Sequence, residues 1–104
     1  MKMSITREQA HELLDLCLDI NGIEERHQEL TGNLPTVFFE FNGHTAGIHV
    51  RVYEEGWTER ANCTNYFTVY CDKNYAEDKF EATKEYLLSI KKDRLSGNSK
   101  RSNQ

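Results

Sequence analysis

The side chains able to hold a metal ion are few and widely spaced in this chain. The ligand types nearest one another are His44, His49, Cys63 and Cys71, and their intervals lack the short Cys-x-x-Cys knuckle of structural zinc sites. Successive side chains of a strand point to opposite faces, which sends His49 and Cys71 to different sides of a sheet. We therefore expect no metal site and no cofactor.

Residues suited to catalysis form no recognisable motif either. The sequence holds no nucleophile-elbow pattern and no glycine-rich phosphate loop. The acidic pairs Glu24-Glu25 and Glu54-Glu55 have the setting of solvated charges on a helix and a turn. His49 and Glu40, on neighbouring predicted strands, could transfer a proton if a site formed between two copies of the chain. We expect the chain not to be an enzyme, and keep this interface site as a third hypothesis.

Aromatic and charged side chains that alternate along the predicted strands favour a binding role. Those expected on the sheet face away from the helices are Phe38, Glu40, His49, Arg51, Tyr53, Tyr66 and Tyr70. Rings at this density are seldom left in water, so the face could stack bases, bind another protein or pair with a second copy. The alternative is that residues 57–64 cover Phe38 and Tyr53, while the tyrosines stand singly on a half-wet face.

The strands that position these residues follow from the period of the apolar side chains. A period of two begins at Thr36, continues over about 45–53 and returns over about 66–71, with turns at Asn42-Gly43 and at residues 54–56. The side chains predicted to face the helices are Val37, Phe39, Phe41, Ile48, Val50, Val52, Phe67, Val69 and Cys71.

Two helical patterns flank the strands. Thr6 and Gln9 have the spacing of a capping box, and an apolar stripe follows them. The members of that stripe are Leu13, Leu16, Ile20, Ile23, His27 and Leu30. Asn21-Gly22 leaves open whether this segment is one long helix or two short ones. A last helix is expected after Asn74 and before Gly97, with a stripe formed by Ala76, Phe80, Thr83, Leu87 and Ile90.

These elements predict the α+β class: a two-layer fold with a three-stranded antiparallel β-meander and both helices packed on one face, in the order α-β-β-β-α. Residues 1–95 are expected to form one domain, and residues 96–104 a disordered basic tail.

Composition and charge narrow the setting and the partners. The chain has 104 residues and a net charge of −4, but residues 1–90 carry 8 basic and 16 acidic side chains. Such an acidic body repels phosphate backbones, which disfavours nucleic acid as a partner. An odd number of cysteines and the lack of a long apolar segment predict a cytoplasmic protein with reduced thiols and no membrane contact.

The predicted order of elements, over roughly residues 6–92, resembles the double-stranded RNA-binding domain. That family grips phosphates with a lysine cluster at the start of its last helix. The matching place here reads Asn74-Tyr75-Ala76-Glu77-Asp78-Lys79, which is net acidic. The resemblance therefore implies a topology without the family's main contact.

A second resemblance rests on Pro35-Thr36-Val37-Phe38-Phe39-Glu40-Phe41-Asn42-Gly43-His44 together with Gly56-Trp57. This stretch, over about residues 35–71, resembles small accessory proteins encoded by phages and prophages of Gram-positive bacteria. It implies a compact protein that acts by contact, inhibitory or otherwise, on a host or phage protein in the host cytoplasm.

The leading hypothesis is therefore a protein-binding module, alone or as a homodimer. It would use the aromatic sheet face, or would use its acidic body against a basic surface of the partner. The alternative is a nucleic-acid-binding module that uses Arg51, the tyrosines and the basic tail.

Overall fold

The computed structural model of the chain describes residues 4–25 and 34–96, which form two helices and a three-stranded sheet. The elements are α1 (Arg7–Asn21), β1 (Thr36–Asn42), β2 (Gly47–Tyr53), β3 (Asn65–Tyr70) and α2 (Ala76–Ser96). The strands pair antiparallel in the order β1-β2-β3. The predicted α+β class and α-β-β-β-α order are confirmed.

Helix α1 begins as its capping box predicts. The Thr6 hydroxyl accepts a hydrogen bond from the Gln9 backbone N–H at 3.1 Å, and the Gln9 side chain accepts one from the Thr6 N–H at 2.8 Å. Both bonds satisfy N–H groups that the first turn of a helix leaves without partners. The buried side of the helix consists of Leu13, Leu16, Cys17 and Ile20.

The same helix ends at Asn21, which excludes the alternative of one long helix that continues through Gly22. Gly22 has a φ of 77°, a conformation that favours glycine, and its N–H closes the last turn on the Leu18 carbonyl. Ile23 beyond it is 88% exposed and does not extend the apolar stripe. The predicted stripe residues His27 and Leu30 lie outside the described residues.

The three strands follow the predicted period, with one difference at the first turn. Residues 43–46 form this turn, in which the Thr45 N–H bonds to the Asn42 carbonyl and Ala46 has a φ of 52°. Strand β2 therefore begins at Gly47, two residues later than expected. The left-handed conformation of Ala46 is uncommon for a residue with a side chain, so it could not be predicted from the sequence.

Both helices pack on one face of the sheet, here called the inner face. The sheet contributes Val37, Ile48, Val50, Val52 and Val69 to the core, and α2 contributes Ala76, Phe80, Thr83, Leu87 and Ile90, the whole of its predicted stripe. The partly buried Phe39, Phe67 and Cys71 pack against this core.

Phe41 also belongs to the inner face but is 54% exposed, contrary to its predicted core position. The cause is the diagonal path of α1. The Ile5 N–H before the helix bonds to the Cys71 carbonyl after β3, and Asn21 at its other end bonds to Val37 near the start of β1. Phe41 lies at the far end of β1, away from that diagonal.

The two helices run parallel to each other. Lys84 forms an ion pair with Glu12 at 2.7 Å. About two turns further along α2, Lys91 forms an ion pair with Asp19 at 2.9 Å. Exposed pairs of this kind are screened by solvent and contribute little, so the apolar core holds the layers together. In the described part of the chain, no helix has both the length and the apolar character needed to span a bilayer.

Candidate functional site: the outer face of the sheet

The face of the sheet opposite the helices, here called the outer face, carries the predicted binding residues. Strand register places them in two rows across the sheet, Phe38–Arg51–Tyr66 and Glu40–His49–Thr68, with Tyr53 and Tyr70 at the two ends. The described helices both lie on the inner face, so neither of them covers these side chains. The rows contain two charged residues of opposite sign, so the face has little net charge.

One half of the outer face is organised around Phe38. Its ring lies 5.5 Å from the Tyr53 ring and 6.3 Å from the Trp57 ring, and the Arg51 guanidinium lies 4.8 Å above its centre. Tyr53 is only 8% exposed, whereas Trp57 is 44% exposed. Tyr53 therefore packs edge-on against the Phe38 ring and offers little surface of its own. Trp57 takes its place in the exposed part of this cluster.

The other half is organised around His49. Its Nδ1 lies 2.7 Å from the Tyr66 hydroxyl and 3.4 Å from the Thr68 hydroxyl. The imidazole also stacks on the Tyr66 ring and meets the Tyr70 ring edge-on. These contacts fix the side chains in place before any ligand arrives, which lowers the entropy cost of binding.

Tyr70 packs against a glycine on the neighbouring strand. Gly47 is its cross-strand partner, and a Cβ added to Gly47 would lie 3.0 Å from Cε1 of Tyr70 and 3.0 Å from the Thr45 hydroxyl. A side chain at position 47 would therefore push the ring away. Glycine inside a strand commonly marks such a close approach.

A shallow groove extends the outer face past β3. It is lined by Tyr66, Thr68 and Tyr70 of β3 and by Tyr75 and Lys79 near the start of α2. Because α2 lies on the inner face, a groove shared with outer-face side chains must run along the free edge of β3. Among the residues that line the groove, Lys79 is the one with a positive charge.

The arrangement does not assemble the proton-transfer pair considered from the sequence. Glu40 lies opposite His49 in the register, but the described residues show no hydrogen bond between them, and Nδ1 of His49 is engaged by Tyr66. Within the described ranges, no group of three or more His, Cys, Asp or Glu side chains is placed to hold a metal ion. Cys63 and Cys71 are free thiols, and burial raises the pKa of Cys71.

A titratable pair that the sequence did not suggest lies on the inner side. The Tyr86 hydroxyl of α2 donates a hydrogen bond to the Glu54 carboxylate at the end of β2, and the Tyr86 ring packs 5.1 Å from Phe67. Burial first, and the Glu54 carboxylate second, raise the pKa of the Tyr86 phenol. This contact ties α2 to the end of β2, and it stands apart from the outer face.

Trp57, Tyr75 and Lys79 are the surface residues that sequence reasoning left out of the candidate site. They belong to irregular segments or to a helix start, where no side-chain period indicates a face. The aromatic character of Trp57 and Tyr75 was the only available signal.

No protein-family model, curated protein or solved structure matches this chain.

Proposed function

We propose that this chain is a protein-binding module that contacts its partner through the outer face of the sheet. The observation that carries the proposal is the placement of Phe38, Trp57, Tyr66 and Tyr70 on a face that neither described helix covers. Trp57 and Tyr66 are 44% and 51% exposed, far more than the fully buried Phe80. An exposed patch of this kind is typical of an interaction site in a soluble protein.

The composition of the patch suits a protein partner. Tryptophan, tyrosine and arginine are the residues most enriched at energetic hot spots of protein interfaces. Arg51 lies exposed over the Phe38 ring, so its guanidinium is held in place by a cation–π contact while its donors remain available. The hydroxyls of Tyr66 and Tyr70 add polar groups that can orient a partner.

Charge separates this surface from the acidic-body alternative. The outer face carries Glu40 and Arg51, whose charges offset each other, so binding there should depend weakly on salt. A complex formed by the acidic body on a basic partner should weaken steeply as salt rises. The resemblance of residues 35–71 to phage accessory proteins suggests a host or phage protein as the partner.

The test is site-specific photo-crosslinking in a Gram-positive host. A photoreactive phenylalanine analogue replaces Glu40 on the outer face or, as a matched control, Leu88 on the exposed side of α2. We expect a discrete adduct with another protein from position 40 and none from position 88. Arg51→Glu should weaken the adduct by at least about tenfold, the loss of about 1.4 kcal/mol expected for a central interface arginine.

Three results contradict the proposal: no adduct from position 40, equal adducts from both positions, or an adduct that Arg51→Glu leaves unchanged. Repeating the crosslinking in a lysate of the host, at low and at high salt, distinguishes the outer face from the acidic body. An adduct from position 88 that disappears at high salt would favour the acidic body.

Binding of single-stranded nucleic acid is a second candidate, favoured by the groove beside β3. Three tyrosine rings and Lys79 combine stacking surfaces with a positive charge, the pattern of sequence-tolerant single-strand binding. Binding of a fluorescent oligothymidylate should then be weakened by Tyr70→Ala and by Lys79→Glu. A chain that leaves the oligonucleotide free at low salt excludes this function.

A further inference from the structure

The two edges of the sheet are finished in different ways. At the edge formed by β1, the Asn21 side chain bonds to both backbone groups of Val37, donating to its carbonyl at 2.7 Å and accepting from its N–H at 2.8 Å. The amide of Asn21 thus takes the place that a neighbouring strand would occupy. Closing an edge in this way is a common protection against unwanted strand pairing.

The edge formed by β3 has no such closure. The β2–β3 register directs the backbone groups of Tyr66, Thr68 and Tyr70 away from β2. The Tyr66 N–H bonds to the Asn65 side chain and the Tyr70 carbonyl accepts from the Lys73 N–H. Among the described residues, no partner is found for the N–H and carbonyl of Thr68, the carbonyl of Tyr66 or the N–H of Tyr70.

These four open groups are self-complementary. If two β3 strands meet antiparallel with a two-fold axis at Thr68, each Thr68 exchanges both of its bonds with Thr68 of the other copy. The Tyr70 N–H of each copy then meets the Tyr66 carbonyl of the other. Every open donor finds an open acceptor, and no group already bonded within the chain is needed.

Side chains and charges fit the same pairing. This register sets Tyr66 opposite Tyr70 of the other copy, and aromatic cross-strand pairs stabilise antiparallel strands. Strand β3 reads Asn-Tyr-Phe-Thr-Val-Tyr, with no charged residue and no proline, the residue types that usually protect an edge strand from pairing. On β1 the open groups belong to Phe39 and Phe41, and an antiparallel pairing with its two-fold axis between them would place Glu40 directly opposite Glu40 of the other copy, so that two carboxylates meet.

We infer that a second copy of this chain docks on β3, joining two three-stranded sheets into one six-stranded sheet with two-fold symmetry at Thr68. Space for the second strand is provided by the groove that runs along this edge between β3 and Lys79. The outer faces of the two copies would then be continuous. This inference rests on the β3 backbone and does not depend on the proposed function.

The test begins with sedimentation of the full chain over a range of concentrations. We expect the wild type to approach twice the monomer mass as concentration rises. Thr68→Lys places two like charges at the two-fold axis and should return the chain to monomer mass. The matched control is Glu40→Lys, because Glu40 and Thr68 flank His49 at the same level on the two edge strands. It introduces the same residue on the same face and should leave the dimer intact.

A second readout does not depend on substitution. In hydrogen–deuterium exchange, the amides of Thr68 and Tyr70 should become protected as concentration rises, although neither has an acceptor within the described chain. The amides of Phe39 and Phe41, on the open part of the β1 edge, should exchange rapidly at every concentration.

A further variant tests the backbone pairing without a change of charge. Thr68→Pro removes the central N–H, and proline is tolerated at edges whose N–H faces solvent. It should also yield a monomer.

The inference is overturned if the wild type stays monomeric at its highest soluble concentration. It is also overturned if Thr68→Lys and Glu40→Lys dissociate the dimer equally, or if exchange protection appears on β1 and not on β3. A monomer would leave the crosslinking expected at Glu40 untouched, so failure here is distinguishable from failure of the proposed function.

Discussion

At the scale of single residues, the outer face depends on small groups that hold large rings in place. Gly47 gives the Tyr70 ring room to lie against β2, and the Tyr66 hydroxyl fixes His49. The buried Tyr53 ring packs edge-on against Phe38. The result is a set of aromatic side chains already held in defined orientations, which is what a contact surface needs to bind without a large loss of entropy.

Gly47→Ala should disturb this arrangement. The new methyl group would lie 3.0 Å from the Tyr70 ring and from the Thr45 hydroxyl, so one of them must move. We expect a loss of about 1–2 kcal/mol in the free energy of unfolding, measured by urea denaturation. Gly43→Ala is the control, because nothing lies within 4 Å of a Cβ added there. Equal effects of the two substitutions would contradict the close approach.

The cysteines should differ widely in reactivity. Burial raises the pKa of the Cys17 thiol to about 12, and its side chain is 2% exposed. The thiolate, which is the reactive form, is then about a thousandfold scarcer at neutral pH than for a thiol of pKa 9. Alkylation followed by mass spectrometry should modify the half-exposed Cys63 first and Cys17 only upon unfolding. Modification of Cys17 as fast as Cys63 in the folded chain would contradict its burial.

At the scale of elements, the strands and helices were largely predictable because apolar side chains recur with periods of 2 and 3.6 residues. The α2 stripe from Ala76 to Ile90 is an example, since all its members are buried. The end of α1 was left open by the sequence, because Asn21-Gly22 can either interrupt or cap a helix. The structure explains why α1 ends here: Gly22 takes a positive φ, and the Asn21 side chain bonds to Val37 at the β1 edge.

The parts of the candidate site that the sequence did not predict depend on contacts distant along the chain. Trp57 reaches Phe38 from a segment without a period, and Asn21 reaches Val37 across 16 positions. Exposure of Phe41 follows from the diagonal path of α1, which local patterns do not encode. Tyr53 was assigned to the correct face by alternation, but alternation does not indicate that it is buried there, with its ring against Phe38.

Asn21→Ala tests the closure of the β1 edge. It removes two hydrogen bonds and leaves the backbone groups of the buried Val37 without partners. At about 1 kcal/mol for each bond, the free energy of unfolding should fall by about 2 kcal/mol. Asp19→Asn is the control on the same helical turn, because it removes an exposed ion pair with Lys91 and should change stability by about 0.5 kcal/mol or less. A loss no larger for Asn21→Ala than for the control would contradict the closure.

At the scale of the whole molecule, the sheet divides the described part of the chain into a covered side, where the helices pack, and an open side, which neither described helix covers. The covered side holds the apolar core, the parallel helices, the buried Cys17 and the partly buried Tyr86. The open side holds the rings, Arg51 and Glu40. Stability and binding are thus assigned to opposite faces, so substitutions on the outer face should affect partner contacts more than folding.

The covered side predicts how stability varies with pH. Burial raises the pKa of Cys17 from 9.0 to about 12, and burial with the Glu54 carboxylate raises the pKa of Tyr86 above its ordinary 10.0. Above pH 9 the unfolded chain therefore loses protons that the folded chain keeps, and the free energy of unfolding falls as pH rises. Urea denaturation from neutral pH to about pH 11 should show this fall. Tyr86→Phe should make it shallower above pH 10, and an unchanged slope would contradict the role of this phenol.

The central claim is that the chain's own layers leave the outer face open, and oxidative footprinting of the free monomer tests it most directly. The full chain is exposed to hydroxyl radicals at a concentration where sedimentation shows monomer mass, and oxidation is read residue by residue. We predict rapid oxidation of Trp57 and Tyr66 and slow oxidation of Phe80, which is 1% exposed. Protection of Trp57 and Tyr66 to the level of Phe80 would contradict the claim, because the rings would then be covered without any partner.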